Sequence, residues 1–150
     1  MATFEFKGLD EYMDKLRQMG EHAEGICKAA VYDGAAEVLH AIEAEMDGLQ
    51  PTKGIDAASI QGLREGIGVA KMQSDASGIN TKISWTGYNA SRTKKYPNGK
   101  PNILIARTLV RGTSYRTKND FVGRAVRRAK DPAIKAMRAK IEEMTNNMMK

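Results

Sequence analysis

The chain has 150 residues, of which 41% are hydrophobic and only 6% aromatic, so a single domain with a largely aliphatic core is predicted. No apolar stretch reaches the roughly 18 residues that a transmembrane helix needs, and the N-terminus lacks a signal-peptide pattern. The lone Cys27 excludes an intramolecular disulfide and a multi-cysteine metal site. We therefore expect a protein that is made and kept in the cytosol, without membrane contact.

The net charge of +6 is distributed unevenly along the chain. Residues 1–75 carry 7 basic and 14 acidic side chains, a net −7, whereas residues 76–150 carry 17 basic and 4 acidic side chains, a net +13. This asymmetry is typical of a basic surface that meets a polyanion, or of an acidic surface that meets a basic one. The alternative is that both halves mix on one solvated surface without a face of a single sign.

The first predicted elements are a short strand and two helices. Residues 4–6 alternate apolar and polar side chains, as a strand does, and residues 9–19 carry apolar side chains at helical spacing. A longer amphipathic helix is predicted over 26–46 and ends at Gly48. Gly34 in its middle weakens this helix or lets a neighbouring element pack closely.

A short helix and a hairpin follow. Asp56 is a plausible N-cap for a helix that runs to Arg64. A strand is predicted to begin at Ile67, and residues 74–78 have the composition of a turn. Residues 79–86 alternate apolar and polar side chains and give the clearest strand pattern of the chain.

The next segment, residues 89–101, has no periodicity and no residues suited to the core. We predict a mobile, basic loop there, followed by a short helix over 103–112. Because nothing in the segment alternates or repeats, the sequence does not predict which residues it contacts.

Two C-terminal helices are predicted after that loop. Asp120 is placed to cap a helix through Ala129, and residues 131–132 (Asp-Pro) are placed to begin a second, amphipathic helix that frays at 145–150. The predicted fold class is α+β. A long N-terminal helix packs on a small antiparallel sheet, formed by the N-terminal strand and the hairpin, with additional C-terminal helices.

No catalytic constellation is evident, and we expect no enzyme activity, no cofactor and no metal. Cys27 and His40 lie thirteen residues apart on one predicted helix, roughly 20 Å, too far for a dyad. Glu37, His40 and Glu43 have helical spacing that suits the metal site of a small hydrolase. The competing interpretation of these three residues is a solvated, charged helix face.

Two basic clusters are candidates for contact with nucleic acid or with a neighbouring subunit. In the loop, cations interleave with Tyr88 and Tyr96, which is the composition of a phosphate-tracking loop with stacking rings. The second cluster lies within two turns of a C-terminal helix. Each cluster can also be a solvated face or can pair with the acidic half of a neighbour. The candidate contact residues are Arg92, Lys94, Lys95, Lys100, Arg124, Arg127 and Arg128.

The order of several short motifs resembles the tail-component family of long-tailed bacteriophages, which comprises head–tail joining, neck and tail-completion proteins. That family typically opens with a strand and a Gly-Leu-Asp/Glu motif, followed by a long Ala-rich helix. A Gly-Leu-Arg step leading to Ile then precedes the hairpin, and a Gly-Thr-Ser signature precedes an aromatic residue. The corresponding residues are Gly8, Leu9, Gly62, Leu63, Arg64, Ile67, Gly112, Thr113, Ser114 and Phe121.

Three features depart from the family pattern. Asp120 and Arg124 stand where the family often has proline, on either side of the aromatic residue. Residues 52–60 look like an extra segment, and the loop at 89–101 is long and unusually basic.

The resemblance implies a virion structural protein of a phage or prophage, made in the host bacterial cytoplasm. It implies one domain over residues 1–150 that forms a ring, a hexamer or dodecamer, at the neck. The implied partners are further copies of the chain, the head connector or stopper, and the tail terminator or tail-tube proteins, close to packaged DNA. The alternative is a sequence-independent nucleic-acid-binding module that uses the basic C-terminal half.

Overall fold

A computed structural model describes residues 17–18, 20–51, 55–75, 78–114 and 116–149. The fold is α+β, as predicted, with a long helix packed on a small antiparallel set of strands. The predicted strand over 4–6 and most of the helix over 9–19 lie outside the described residues. In chain order the elements are α1 (Ala23–Asp47), α2 (Ala57–Gly66), β1 (Ile67–Val69), β2 (Gln73–Asp75), β3 (Gly78–Asn80), β4 (Ile83–Trp85), α3 (Asn102–Arg111) and α4 (Phe121–Met149).

Helix α1 confirms the predicted long amphipathic helix. Its buried residues follow helical spacing, so one stripe of the helix faces the interior. The helix ends at Gly48. The Gly48 backbone N–H donates to the Glu45 carbonyl at 3.2 Å and the Leu49 N–H donates to the Met46 carbonyl at 3.0 Å, so two orphan acceptors of the last turn are satisfied. The buried residues of α1 are Ile26, Ala30, Gly34, Ile42 and Met46.

Helix α2 confirms Asp56 as its N-cap. The Asp56 carboxylate accepts a hydrogen bond of 2.8 Å from the backbone N–H of Ser59, as an N-cap residue does for one of the free donors of a first turn. Ile60 and Leu63 are buried on the inner side of the helix. The helix leads directly into β1, which begins at Ile67.

The hairpin is confirmed, but its strands are interrupted. Ile67 pairs with Trp85 across β1 and β4, and Gln73 pairs with Asn80 across β2 and β3. Between these two ladders, residues 70–72 lie opposite the two residues 81 and 82, so the first arm carries one extra residue. This is the count of a β-bulge, which shifts the register and ends the alternation of one continuous strand. The prediction of an unbroken strand over 79–86 is therefore wrong.

Helix α4 is continuous, which corrects the prediction of two helices. Asp120 caps it as predicted, since its Oδ1 accepts from the N–H of Gly123 at 2.9 Å. Pro132 lies inside the helix and removes one backbone hydrogen bond. Ala129 and Ala133, on either side of it, are buried, so packing outweighs the loss. The helix extends to Met149; fraying of its end stays a prediction.

Helices α1 and α4 run antiparallel along each other. Near one end Glu45 of α1 contacts Arg124 of α4, and further along Gly34 faces Met137. A Cβ atom on Gly34 would lie 2.8 Å from Met137 Cγ, so the glycine permits the close approach that the sequence suggested.

The hydrophobic core lies where α2, α3 and the strands meet the C-terminal part of α1 and the start of α4. Trp85 and Phe121 pack edge to face with ring centroids 6.0 Å apart, and Trp85 Nε1 donates to the Leu63 carbonyl at 3.0 Å. We call the described residues within 38–125 the core block, and residues 23–37 with 129–149 the helical arm. The buried core residues are Ile42, Met46, Leu49, Ile55, Ile60, Leu63, Trp85, Ile105, Ala106, Leu109, Phe121 and Ala125.

Candidate interaction surface

The basic loop, residues 89–101, is fixed at its base by hydrogen bonds. The N–H of Asn89 donates to the Lys100 carbonyl at 2.9 Å, and the N–H of Lys100 donates to the Ser91 carbonyl at 3.0 Å. The Ser91 hydroxyl donates to Asp56 Oδ2 at 2.9 Å, which joins the loop to the start of α2. Asn89 and Ser91 are buried polar residues, whereas none of the described hydrophobic core residues lies in the loop, as predicted. Its mobility stays a prediction.

The pKa of Asp56 is lowered because its carboxylate accepts hydrogen bonds both from the first turn of α2 and from the basic loop. Hydrogen bonding by Ser59, then by Ser91, together with the charge of Lys100, holds the pKa of Asp56 below its ordinary value despite some opposing desolvation. A pKa lowered by folding stabilises the folded state above the unfolded pKa of about 3.9. That contribution is lost as the pH falls through the folded pKa.

Two glycines of α2 allow the ends of the basic loop to approach the helix closely. A Cβ on Gly62 would lie 2.4 Å from Asn102 Oδ1 and 2.5 Å from Asn89 Cβ. A Cβ on Gly66 would lie 2.6 Å from Asn102 Nδ2, which donates to the Thr86 carbonyl at 2.9 Å. Asn89 and Asn102 flank the loop, so these contacts hold both of its ends against α2.

The outer part of the loop presents positive charge and an aromatic ring to solvent. Arg92, Lys94 and Lys95 are exposed, and Tyr88 at the base of the loop is 70% exposed. Lys95 Nζ lies 5.6 Å from the centroid of the Tyr96 ring, within the range of a cation–π contact. This surface suits either a polyanion or an acidic protein surface.

A groove of about 460 Å³ lies between the basic loop, α3 and residues 113, 114 and 116. Lys95 and Lys100 line it from the loop, and Arg116 lines it from the segment after α3. Leu104 of α3 supplies apolar surface, whereas Ile105, which also lines the groove, is only 1% exposed. The groove therefore combines cations with an apolar lining. Its residues are Thr93, Lys95, Tyr96, Lys100, Leu104, Ile105, Thr108, Thr113, Ser114 and Arg116.

The second predicted cluster, on α4, is partly neutralised within the chain. Arg124 Nε and Arg128 Nη2 each lie 3.2 Å from a carboxylate oxygen of Glu45, whose side chain is only 12% exposed. Arg127 is exposed on the same stretch of α4. Two of the three predicted contact arginines thus bind a carboxylate of the acidic half in the same protomer, whereas the sequence left contact with nucleic acid, a neighbour's acidic half or solvent open.

The outward face of α1 carries the complementary charge. Tyr32, Glu37, His40, Glu43 and Asp47 are all exposed. At about 100° per residue they fall within one face of roughly 140°. Tyr32 is 58% exposed, and among the described residues none of the three carboxylates has an ion-pair partner. We call these five residues the acidic face of α1.

The α2 residues that carry the phage resemblance mostly serve packing. Leu63 is fully buried, and Ile67 pairs with Trp85. Arg64 is exposed, and its guanidinium donates to the Met46 carbonyl at 3.5 Å, which connects α2 to the end of α1. Gly8 and Leu9 lie outside the described residues.

The later residues of the resemblance form a turn and a core contact. Gly112 has a φ of +75°, which favours glycine, and its N–H donates to the Thr108 carbonyl at 2.9 Å to end α3. Thr113 and Ser114 line the groove beside the basic loop. Phe121 is the first residue of α4 and has no exposed surface.

The side chains considered for chemistry are not brought together. Cys27 is exposed. Within the described residues, Glu37, His40 and Glu43 included, no group of three or more His, Cys, Asp or Glu side chains is arranged to hold a metal ion. None of the described helices combines the length and the apolar character that crossing a membrane requires.

Comparison with known proteins returns no match: no family model, no curated protein and no solved structure is similar enough to this chain. The features that bear on function are therefore the two charged surfaces, the groove between the basic loop and α3, and the motif order.

Proposed function

We propose that this chain is a structural subunit of a bacteriophage particle that assembles as a ring at the head–tail interface and joins or completes the tail. The observation that carries the proposal is that one protomer exposes two surfaces of opposite charge, the basic loop and the acidic face of α1. A ring needs two different, complementary patches on every subunit, because its contacts are heterologous. The order of the sequence motifs, which resembles that of phage tail components, is the reason for proposing a ring at the head–tail interface.

The intramolecular ion pairs support this reading of the charges. Glu45 forms ion pairs with Arg124 and Arg128, and Asp33 Oδ2 lies 3.6 Å from Lys140 Nζ. Part of the charge of the two halves is therefore used to pair α1 with α4. The loop cations and the acidic face of α1 are outside these pairs. The proposed partners are further copies in a hexamer or dodecamer, the head connector or stopper, and tail terminator or tail-tube proteins, with packaged DNA nearby.

The test of the proposal uses the phage or prophage that encodes the chain. Purified particles are expected to contain the protein, and deletion of its gene is expected to leave heads and tails unjoined in electron micrographs. Expression of the intact chain from a plasmid should restore joined particles. Joined, infectious particles that form without the protein would contradict the proposal.

A second function, sequence-independent binding of nucleic acid, is favoured by one observation: the exposed ring of Tyr88 lies beside the loop cations. Base stacking on such a ring contributes about 1–3 kcal/mol per base. Single-stranded oligonucleotides should then bind with an affinity that falls steeply with salt, and Tyr88→Ala should weaken binding. Absence of binding at low salt, measured by fluorescence anisotropy, eliminates this function.

A further inference from the structure

We infer that the groove between the basic loop and α3 is the docking site for the acidic face of α1 of a second copy of this chain. The inference rests on the proposed function, since it names the contact through which neighbouring subunits of the ring associate.

The chemistry of the groove selects a protein ligand with both apolar and acidic groups. Lys95, Lys100 and Arg116 contribute positive charge, and Leu104 contributes apolar surface. A phosphate backbone would use the cations but leave the apolar lining without a partner. An apolar or aromatic anchor flanked by carboxylates satisfies both, as at the centre and rim of protein interfaces.

The acidic face of α1 has this composition. Tyr32 is an exposed aromatic side chain, and Glu37 and Glu43 are exposed carboxylates on the same face. Tyr32 and Glu43 are eleven residues apart, which is roughly 16 Å along the helix. A helix that lays one face into a groove is a recurring mode of recognition, with anchors at helical spacing.

The two surfaces are separate, so one subunit can use both at once. The groove is built from the basic loop, α3 and residues 113, 114 and 116, whereas the acidic face belongs to α1, and the two have no residue in common. Each copy therefore offers α1 to one neighbour and its groove to another. Such a head-to-tail contact closes into a ring when the rotation between neighbours permits.

The test is sedimentation velocity of the full chain at low salt, with two charge-reversal variants. The groove variant, Lys94→Glu with Lys95→Glu, reverses two exposed cations of the basic loop, of which Lys95 lines the groove. The α1 variant, Glu37→Lys with Glu43→Lys, reverses two carboxylates of the acidic face. All four side chains are exposed. Lys100 is left intact because its charge acts on Asp56. Each variant alone should self-associate at least about tenfold more weakly than the unchanged chain.

Mixing the two variants in equal amounts should restore association. In the mixture the loop of the groove variant, now acidic at 94 and 95, meets the α1 of the other variant, now basic at 37 and 43. The unchanged α1 of the groove variant also meets the unchanged loop of the α1 variant. Restoration by mixing cannot arise from misfolded variants. Tyr32→Ala should weaken association without a change of charge.

The matched control for the groove variant is Lys135→Glu with Arg138→Glu, on an exposed stretch of α4, which makes the same change in net charge as that variant and should associate as the unchanged chain does. Several results overturn the inference: an unchanged chain that stays monomeric at low salt, a groove variant that associates normally, a mixture that does not recover, or a groove variant that loses only DNA binding. The proposed function is judged separately, since the protein would still be found in purified particles if the ring used other surfaces.

Discussion

The core block and the helical arm are stabilised in different ways. The block buries large side chains, among them Met46, Leu63 and Phe121, and adds close polar contacts between α2 and the ends of the basic loop. The arm pairs α1 with α4 mainly through small residues, such as Ala30 and Gly34, that let the two helices approach. The stability of the block therefore depends on the volume of the side chains that fill its core, whereas the stability of the arm depends on how closely α1 and α4 approach each other.

This difference bears on function. Burial of small residues removes less apolar surface from water, so the arm should open at a lower free energy than the block. Tyr32, the proposed anchor, lies on the arm, whereas the groove lies on the block. A neighbouring subunit that binds the acidic face would therefore stabilise the less stable region, as any ligand of the folded state does.

The largest expected effect concerns the core of the block. Phe121→Ala should lower the free energy of unfolding by about 3–5 kcal/mol, because it removes a fully buried ring that packs on Trp85. Val126→Ala, at a 46% exposed position of the same helix, should change it by less than about 1 kcal/mol. Urea unfolding measures both, and similar losses would show that the two positions do not differ as described.

The second effect contrasts two glycines. Gly62→Ala should cost about 1–3 kcal/mol, because the new methyl group would meet Asn102 and Asn89 in the block. Gly25→Ala in the arm should instead stabilise the protein by about 0.5–1 kcal/mol, because nothing lies within 4 Å and alanine favours the helix. Thermal melting compares the two variants. Melting temperatures that shift in the same direction in both would contradict the assignment of Gly62 to a closely packed site and of Gly25 to an open one.

The third effect depends on pH. Asp56→Ala should destabilise the protein by about 1–2 kcal/mol at neutral pH, through loss of the cap and of the Ser91 hydrogen bond. Since the folded pKa of Asp56 is lowered, the intact chain should lose this contribution as the pH falls below about 4, and the variant should lose correspondingly less. Melting temperatures across this range test the prediction, and equal acid sensitivity would refute it.

The smallest effect concerns the ion pairs between α1 and α4 at Glu45. Glu45→Gln should cost at most about 1 kcal/mol, because Arg124 and Arg128 are largely exposed and such pairs contribute little. Glu43→Gln, an exposed neighbour without a described ion pair, is the control and should be nearly neutral. Added salt should reduce the difference in melting temperature between the two variants.

The sequence predicted what local chemistry decides. The caps at Asp56 and Asp120 and the end of α1 at Gly48 follow from hydrogen bonds within a few residues, and all three are confirmed. The continuity of α4 through Pro132 was missed, because contacts with α1, distant in sequence, compensate for the missing hydrogen bond. The bulge at 70–72 was missed because the register of a hairpin is a property of the pair of strands.

The candidate surface was predicted in part. The exposed cations Arg92, Lys94 and Lys95 were recognised from charge alone. Arg116, which lines the groove, was not, because its position depends on how the segment after α3 folds back. Tyr32 was also missed, although at about 100° per residue it projects within roughly 60° of Glu43 and Asp47 on α1.

The most direct test of charge-driven self-association is sedimentation velocity of the unchanged chain in a salt series. At about 0.05 M salt the protein should sediment as a species larger than the 16.5-kDa monomer. At about 1 M salt, where the screening length falls to about 3 Å, it should dissociate. A monomer under both conditions, or an assembly that does not respond to salt, would contradict the account.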